Sequence, residues 1–172
     1  MMKLYNKYLV ILIFTILALP SCTYEYEWIN DLSFDYRMLP VVANGNFETH
    51  ATIRASNITE IDPTTQEIAD IILKKTWIQF SGDFKHNDKV ELHNIVVDKD
   101  TFYINYEYSI DSSEPKRFYY EDDDDYGAFM QKSFNTLRKN GFIRVWINGY
   151  NNTSMSKLYI TLCNDIDVQV RE

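Results

Sequence analysis

The chain has 172 residues, 45% of them hydrophobic and 24% charged, and its 17 basic and 25 acidic side chains give a net charge of −8. These values fit one globular domain and exclude a long disordered, collagen-like or multi-pass membrane chain. The two cysteines, Cys22 and Cys163, can form neither a disulfide scaffold nor the four ligands of a zinc site.

The N-terminal segment has the layout of a secretory signal peptide. Lys3 and Lys7 lie in a short polar start, and residues 8–19 are almost wholly apolar and uncharged before Pro20. A membrane-spanning helix needs about 20 apolar residues, and this run is well short of that length. We therefore predict that residues 1–21 direct export and are removed from the mature protein.

The segment ends on a motif that resembles the lipobox of bacterial lipoproteins, Leu19-Pro20-Ser21-Cys22. The resemblance covers the first 22 residues and implies that Cys22 is acylated and becomes the first residue of the mature protein. Each acyl chain contributes about 0.8 kcal/mol per buried methylene, so several chains hold a protein durably on a bilayer. The alternative is an ordinary signal peptide followed by a cysteine without lipid.

Removal of residues 1–21 takes away two lysines and no acid, so the net charge changes from −8 to −10. Phosphate binding needs clustered Lys and Arg, so this chain favours neither nucleic acid nor anionic head groups as partners. We predict that covalent lipid holds the protein at the membrane. Glu25 and Glu27 resemble the acidic export signals of some Bacteroidota lipoproteins, which favours the outer membrane, with a surface-exposed and a periplasm-facing location both open.

Residues 22–33 show no clear period and are predicted to form a lipidated tether, followed by a single domain over 34–172. Within that domain, alternation of apolar and polar side chains predicts strands. The alternation slips at Asn94-Ile95, which indicates a bulge. The predicted strands cover 47–56, 77–80, 90–97, 102–110, 142–149 and 157–170, with a short edge strand at 117–120.

Two helices are predicted between these strands. The first covers about 62–75, because Asp62-Pro63 offers an N-cap and a first-turn proline. The second follows the acidic residues 122–125 and ends at Asn140-Gly141. The apolar residues that define the two helical faces are Ile68, Ile71 and Ile72 in the first and Tyr126, Phe129, Met130, Phe134 and Leu137 in the second.

Strands that follow one another too closely for repeated helical crossovers predict antiparallel sheets. Six or seven strands in about 130 residues suit a two-sheet sandwich with two helical connections; the alternative is an α+β fold with a single antiparallel sheet. From Phe47 to Val170 the order of elements, including Ile143-Arg-Val-Trp-Ile-Asn-Gly149, is similar to that of small Bacteroidota lipoproteins. This resemblance implies an immunoglobulin-like sandwich and carries neither a catalytic motif nor an assigned function.

The acidic run over 121–125 is a candidate metal site, since clustered carboxylates suit calcium. The run lacks the alternating ligands and the glycine of an EF-hand loop. Acids at the start of a helix also cap its amides and complement its dipole. We favour capping and predict no metal or other cofactor apart from the lipid; the weak calcium candidates are Asp122, Asp123, Asp124 and Asp125.

The remaining reactive side chains give little support for catalysis. Glu91 and His93 share a predicted strand face and could form half of a metal site, although polar side chains are the default on an outward face. Cys163 is interpreted as a passive small side chain. No Gly-x-Ser-x-Gly, His-Glu-x-x-His, Walker or dinucleotide motif occurs, so we predict that the protein is not an enzyme.

Aromatic side chains are in surplus, with 13 Tyr, 10 Phe and 3 Trp. On an open sheet face such rings stack against the apolar faces of sugars, whereas packing in a β core is their more common role. Tyr106 and Tyr108 fall on the predicted core face of their strand. The candidates for glycan contact are Tyr103, Tyr119, Tyr120, Trp146, Tyr150 and Tyr159.

Two functional hypotheses follow. The first is a membrane-anchored, non-enzymatic module that binds another envelope protein through a sheet edge or face, or has a structural role. The second is a surface glycan-binding lipoprotein, which predicts a row of exposed rings on one face. An enzyme is a third class, and it would need a pocket where acids or histidines converge.

Overall fold

The computed structural model describes residues 24–41, 44–82, 84–85, 87–110, 116–119, 124–152 and 158–171, with side chains for all of these except 105–110 and 116–119. Within these ranges the chain forms eight strands and one α-helix. The helix, α1, covers Asp124–Asn140. The strands are β1 (Tyr26–Arg37), β2 (Gly45–Arg54), β3 (Glu67–Ser81), β4 (Asp88–Val97), β5 (Asp100–Ile110), β6 (Lys116–Tyr119), β7 (Phe142–Asn151) and β8 (Tyr159–Arg171).

The strands form two four-stranded sheets in which every neighbouring pair is antiparallel. One sheet has the order β1-β8-β3-β6 and the other has the order β2-β7-β4-β5. Their inward side chains form one buried core. The predicted two-sheet antiparallel sandwich is therefore confirmed, whereas its likeness to immunoglobulin domains stays a prediction.

Helix α1 packs against both sheets. The ring of Phe134 meets that of Phe34 on β1 edge-on, with 6.3 Å between centroids, and the ring of Tyr126 lies 5.3 Å from that of Phe102 on β5. Burial of this apolar face stabilises the helix beyond its intrinsic propensity. The second predicted helix is thus confirmed.

The first predicted helix, over 62–75, is wrong, because the segment is a turn followed by β3. Asp62 Oδ1 accepts hydrogen bonds from the hydroxyl and the N–H of Thr64 at 2.6 and 2.9 Å. These two bonds hold the pKa of Asp62 below its usual value of 3.8. Beyond this turn, β3 begins at Glu67 and pairs with β8 to its last residue.

Two bulges in β3 explain why its sequence resembles a helix. The register with β8 shifts between Ile68 and Asp70 and again between Leu73 and Lys75. Each bulge adds one residue, so the spacing between core-facing side chains becomes three at each bulge instead of two. The core-facing residues are Ile68, Ile71, Leu73, Thr76, Ile78 and Phe80.

The segment predicted as a tether, 22–33, is part of β1 from Tyr26 onward. Tyr26 lies opposite Arg171, and the pairing with β8 continues to the end of β1. The folded domain therefore begins before residue 34. A register shift between Ile29 and Leu32, with Asp31 at a φ of 56°, breaks the alternation by which a strand is recognised.

Asp167 of β8 holds this irregular part of β1. Its Oδ1 accepts the N–H of Asp31 at 2.9 Å, and its Oδ2 lies 3.0 Å from Nζ of Lys74 on β3. The N–H of Asp31 and then the Lys74 ammonium hold the pKa of Asp167 below its usual range, and the carboxylate raises the pKa of Lys74 in turn. One carboxylate therefore joins three neighbouring strands.

Side chains of α1 pair with the backbone of β3 where β6 does not reach. β6 pairs with residues 77–80 of β3. Gln131 accepts the N–H of Leu73 at 2.7 Å and donates to the carbonyl of Ile71 at 2.8 Å, while Arg138 donates to the carbonyl of Ala69 at 2.7 Å. The helix thus satisfies backbone groups that would otherwise form an open sheet edge.

Candidate functional site

The outward surface of the β2-β7-β4-β5 sheet carries three of the predicted glycan-contact residues, and we call it the aromatic face. On β7, Ile143, Val145 and Ile147 are buried, so the residues between them point outward. Tyr103 on β5 is 70% exposed. The outward residues of β7 are Phe142, Arg144, Trp146, Asn148 and Tyr150, of which Trp146 and Tyr150 are half-buried.

Strand register places amides beside these rings. Asn148 of β7 lies opposite Asn94 of β4, which in turn lies opposite Tyr103. Asn148 Nδ2 donates a hydrogen bond to Asn94 Oδ1 at 2.8 Å. In the adjacent row, His50 of β2 lies opposite Trp146. Rings next to a few fixed polar groups are the combination by which sites hold polar, ring-shaped ligands.

The bulge predicted in β4 is present, between Leu92 and Asn94, one residue earlier than predicted. In the pairing with β7 the extra residue is His93, whose Nε2 lies 3.7 Å from Oε2 of Glu91. These two side chains do meet, as the alternation predicted. Among the described residues, however, no group of three His, Cys, Asp or Glu side chains could hold a metal ion.

Two adjoining depressions at the end of the aromatic face form a groove beside the C-terminus of α1. The larger has a volume of about 440 Å³ and extends to the β4–β5 turn, and the smaller has a volume of about 340 Å³ and extends to β2. Asn140, Phe142 and Arg144 line both. We call this the rim groove and define it by Arg54, Asn140, Phe142, Arg144 and Trp146.

Two exposed arginines on neighbouring strands face the rim groove. Arg54 of β2 lies opposite Phe142, and Thr52 lies opposite Arg144, so the two arginines are diagonal neighbours. Diagonal Cα atoms on adjacent strands are about 7–8 Å apart, within the reach of long side chains. The Arg144 guanidinium carbon lies 5.6 Å from the centre of the Phe142 ring, which favours one orientation of the charged group.

The acids nearest the rim groove already have partners in the protein. Asp98 accepts the N–H of Arg144 at 3.2 Å through Oδ1, and its own N–H donates to the Arg144 carbonyl at 2.9 Å. Asp100 Oδ2 lies 2.9 Å from Nζ of Lys132 on α1. Within the described part of the chain, neither Arg54 nor Arg144 forms an ion pair with a carboxylate.

The other glycan candidates are not shown to join this surface. Tyr159 is on β8 in the opposite sheet, where the Arg37 guanidinium lies 5.1 Å from its ring centre. Tyr119 belongs to β6, but its side chain is outside the described set, as are those of Tyr106 and Tyr108. Tyr120 lies outside the described residues altogether.

The remaining predicted site residues are placed as follows. Asp124 and Asp125 lie in the first turn of α1, as the capping interpretation requires, while Asp122 and Asp123 lie outside the described residues.

The two cysteines are placed differently. Cys22, like His86, lies outside the described residues, so lipid attachment to Cys22 stays a prediction. Cys163 is buried, with 1% exposure, on the side of β8 that faces away from the core.

Arg54, Phe142 and Arg144 were not recognised as site residues from the sequence. All three lie on predicted strands at outward positions, so the alternation contained part of the signal. Their proximity depends on the β2–β7 register and on where α1 ends, and neither can be read from a local pattern.

Comparison with protein-family models and with curated proteins gave no match to the chain. In the ranges that the structure describes, no helix has the length and apolar character needed to cross a membrane. Function must therefore be inferred from the anchor motif and from the geometry of the aromatic face.

Proposed function

We propose that this chain is a lipid-anchored outer-membrane lipoprotein that acts as a non-enzymatic binding module through its aromatic face. The observation that carries the proposal is the common outward placement of Tyr103, Trp146 and Tyr150, with the Asn94–Asn148 pair between them. A hydrogen-bonded sheet holds these side chains in fixed register. Less conformational freedom is therefore lost when a ligand binds.

The position of β1 supports an anchor at Cys22. β1 begins at Tyr26, and an extended chain spans at most about 3.6 Å per residue, so the sheet lies within roughly 15 Å of the lipidated cysteine. Tyr24, Tyr26 and Trp28 are 57, 56 and 39% exposed at this end of the domain. Tyr and Trp rings favour the boundary between lipid and water, which suits this part of β1 to contact with the bilayer.

The first candidate ligand is another envelope protein. Aromatic side chains are enriched at protein interfaces, where they contribute much of the binding energy. The anchor would keep the domain at the membrane surface, and the aromatic face belongs to the sheet that does not contain β1. Contact of β1 with lipid therefore leaves the aromatic face accessible to a partner.

A glycan is the second candidate ligand. It is favoured by the alternation of rings and amides, because rings stack on the apolar faces of sugars while amides bind their hydroxyls. Trp146→Ala should then remove the retardation of the protein in gels that contain the recognised polysaccharide. Tyr159→Ala, on the opposite sheet, should leave it unchanged; the reverse pattern would exclude the aromatic face.

Photocrosslinking in intact cells tests the binding of a protein. A photoreactive phenylalanine analogue at position 103 should give covalent adducts with an envelope protein, because Tyr103 is the most exposed ring of the aromatic face. The same analogue at position 159 is the matched control. Adducts from position 159 alone would contradict the proposal, and adducts from neither position would remove the protein partner and leave the glycan.

A further inference from the structure

We propose that the rim groove binds an acidic sugar unit, with Arg144 and Arg54 holding its anionic group and Trp146 supporting its ring. This inference rests on the glycan ligand of the proposed function and specifies its charge. The rim groove is continuous with the aromatic face, because Arg144 and Trp146 are consecutive outward residues of β7.

The charges around the rim groove favour an anionic ligand. The whole chain has a net charge of −8, and other arginines are engaged by its acids: Arg171 pairs with Glu67, and Arg138 lies 3.7 Å from Asp70. Arg54 and Arg144 have no such partner within the described ranges. Two adjacent cations on an acidic protein repel each other slightly and attract an anion from solution.

The positions of Arg54 and Arg144 suit the binding of one anionic group. The two arginines are diagonal neighbours across β2 and β7, so both can reach one carboxylate or sulfate. A guanidinium group binds such an anion through two parallel hydrogen bonds. The contact between Arg144 and the Phe142 ring, at 5.6 Å, orders one of the two groups before the ligand arrives.

The indole of Trp146 is placed to support the ring of the ligand. Trp146 is two residues from Arg144 on the same strand face, which corresponds to about 6.6 Å along the strand. This separation suits a sugar ring that stacks on the indole while its charged substituent reaches the guanidinium. Asn140, at the end of α1, adds an amide that can bind hydroxyl groups.

The size of the groove favours a sugar over an acidic peptide. Its larger depression, of about 440 Å³, has the volume of a small-molecule site, for which the range is roughly 300–1,000 Å³. Asp100 is paired with Lys132, and Asp98 accepts the backbone N–H of Arg144, so neither carboxylate forms an ion pair with the two arginines. The groove is therefore suited to one compact, negatively charged ring.

Titration calorimetry on the full-length protein, extracted from membranes in detergent, tests the inference. The probes are polygalacturonate, hyaluronan and heparin, compared with methyl-esterified polygalacturonate and dextran as uncharged glycans. At least one acidic glycan should bind about tenfold or more tightly than its uncharged counterpart. The double substitution Arg54→Gln and Arg144→Gln should abolish that preference, and Arg37→Gln on the opposite sheet should retain it.

The outcomes separate this inference from the proposed function. Binding of neutral glycans alone, or equal binding by wild type and the double variant, would overturn the acidic specificity and leave a glycan ligand. No binding of any glycan would overturn this inference together with the glycan ligand, and would leave an envelope protein as the ligand of the aromatic face. Tighter binding of polyglutamate than of every acidic glycan would assign the groove to an acidic peptide and contradict the inference.

Discussion

Gly149 of β7 occupies a position where a side chain has no room. A Cβ built there would collide with the backbone oxygen of Glu91 on β4 and would lie 2.6 Å from Cζ of Phe47. Phe47 is buried, and Gly149 follows Asn148 of the aromatic face directly. The absence of a side chain at Gly149 therefore allows the backbone of β4 and the ring of Phe47 to approach β7 closely.

We expect Gly149→Ala to lower the free energy of unfolding by about 1–3 kcal/mol, because the added methyl group overpacks this site. The matched control is Gly127→Ala in α1, where a Cβ would meet nothing within 4 Å. That substitution should raise stability by about 0.5–1 kcal/mol, since glycine is a poor helix former. Urea denaturation gives both values, and equal effects would contradict the close approach at Gly149.

Asp167 makes stability depend on pH. Its pKa is held below the value of 3.8 by the N–H of Asp31 and the ammonium of Lys74. A carboxyl group whose pKa is lower in the folded state stabilises that state when ionised. Its contribution is fully present above about pH 5 and is lost as the pH falls through 3.8 towards the folded-state pKa.

We expect Asp167→Asn to flatten the decline of stability between about pH 5 and pH 3. Lys74→Met should keep most of the decline, because the N–H of Asp31 is the larger cause of the lowered pKa. Thermal unfolding of the wild type and the two variants, measured between about pH 5 and pH 3, provides the comparison. An unchanged slope in Asp167→Asn would show that this carboxylate does not hold β1.

At the level of elements, α1 takes the place of a strand along part of β3. Gln131 both accepts from Leu73 and donates to Ile71, which is the pattern that a neighbouring strand would supply. An open sheet edge invites pairing with other chains. The helix therefore stabilises the sandwich and also covers one of its edges.

We expect Gln131→Ala to lower the free energy of unfolding by about 1–3 kcal/mol, because two backbone groups of β3 lose their partner. Lys139→Ala, at an exposed position nearer the end of α1, is the control and should change stability by less than about 0.5 kcal/mol. Both values come from urea denaturation. If the two variants were equally stable, the role of Gln131 at the β3 edge would be refuted.

The strands that could be predicted are those whose alternation is intact over most of their length, such as β2, β5 and β7. β1 and the first part of β3 could not be predicted as strands, because bulges change the spacing of their buried residues. A bulge is stable only against a particular partner, in both cases β8. The sequence of β3 alone therefore resembles a helix, and long-range pairing determines that it is a strand.

The sequence indicated that aromatic side chains would form the candidate site, but it did not show which residues lie together on one surface. Trp146, Tyr150 and Tyr103 could be assigned to outward positions from local alternation. Tyr159 could not be separated from them, because the sheet to which β8 belongs depends on pairing with β1 and β3. The two arginines of the rim groove meet only through the β2–β7 register.

For the whole molecule, three features fit a domain held at a membrane surface by lipid. The chain without residues 1–21 has a net charge of −10, exposed aromatic residues lie at the start of β1, and the aromatic face belongs to the other sheet. Charge would repel this domain from anionic lipid. A covalent anchor at Cys22 is therefore central to the proposed function.

Metabolic labelling with an alkyne fatty acid, followed by membrane fractionation, tests this anchor most directly. Because the chain has two cysteines, Cys163→Ala is the matched control for Cys22→Ala. We expect the wild type and Cys163→Ala to be labelled and to stay with the membranes, and Cys22→Ala to lose both the label and membrane attachment. Persistent labelling of Cys22→Ala would contradict the lipoprotein assignment.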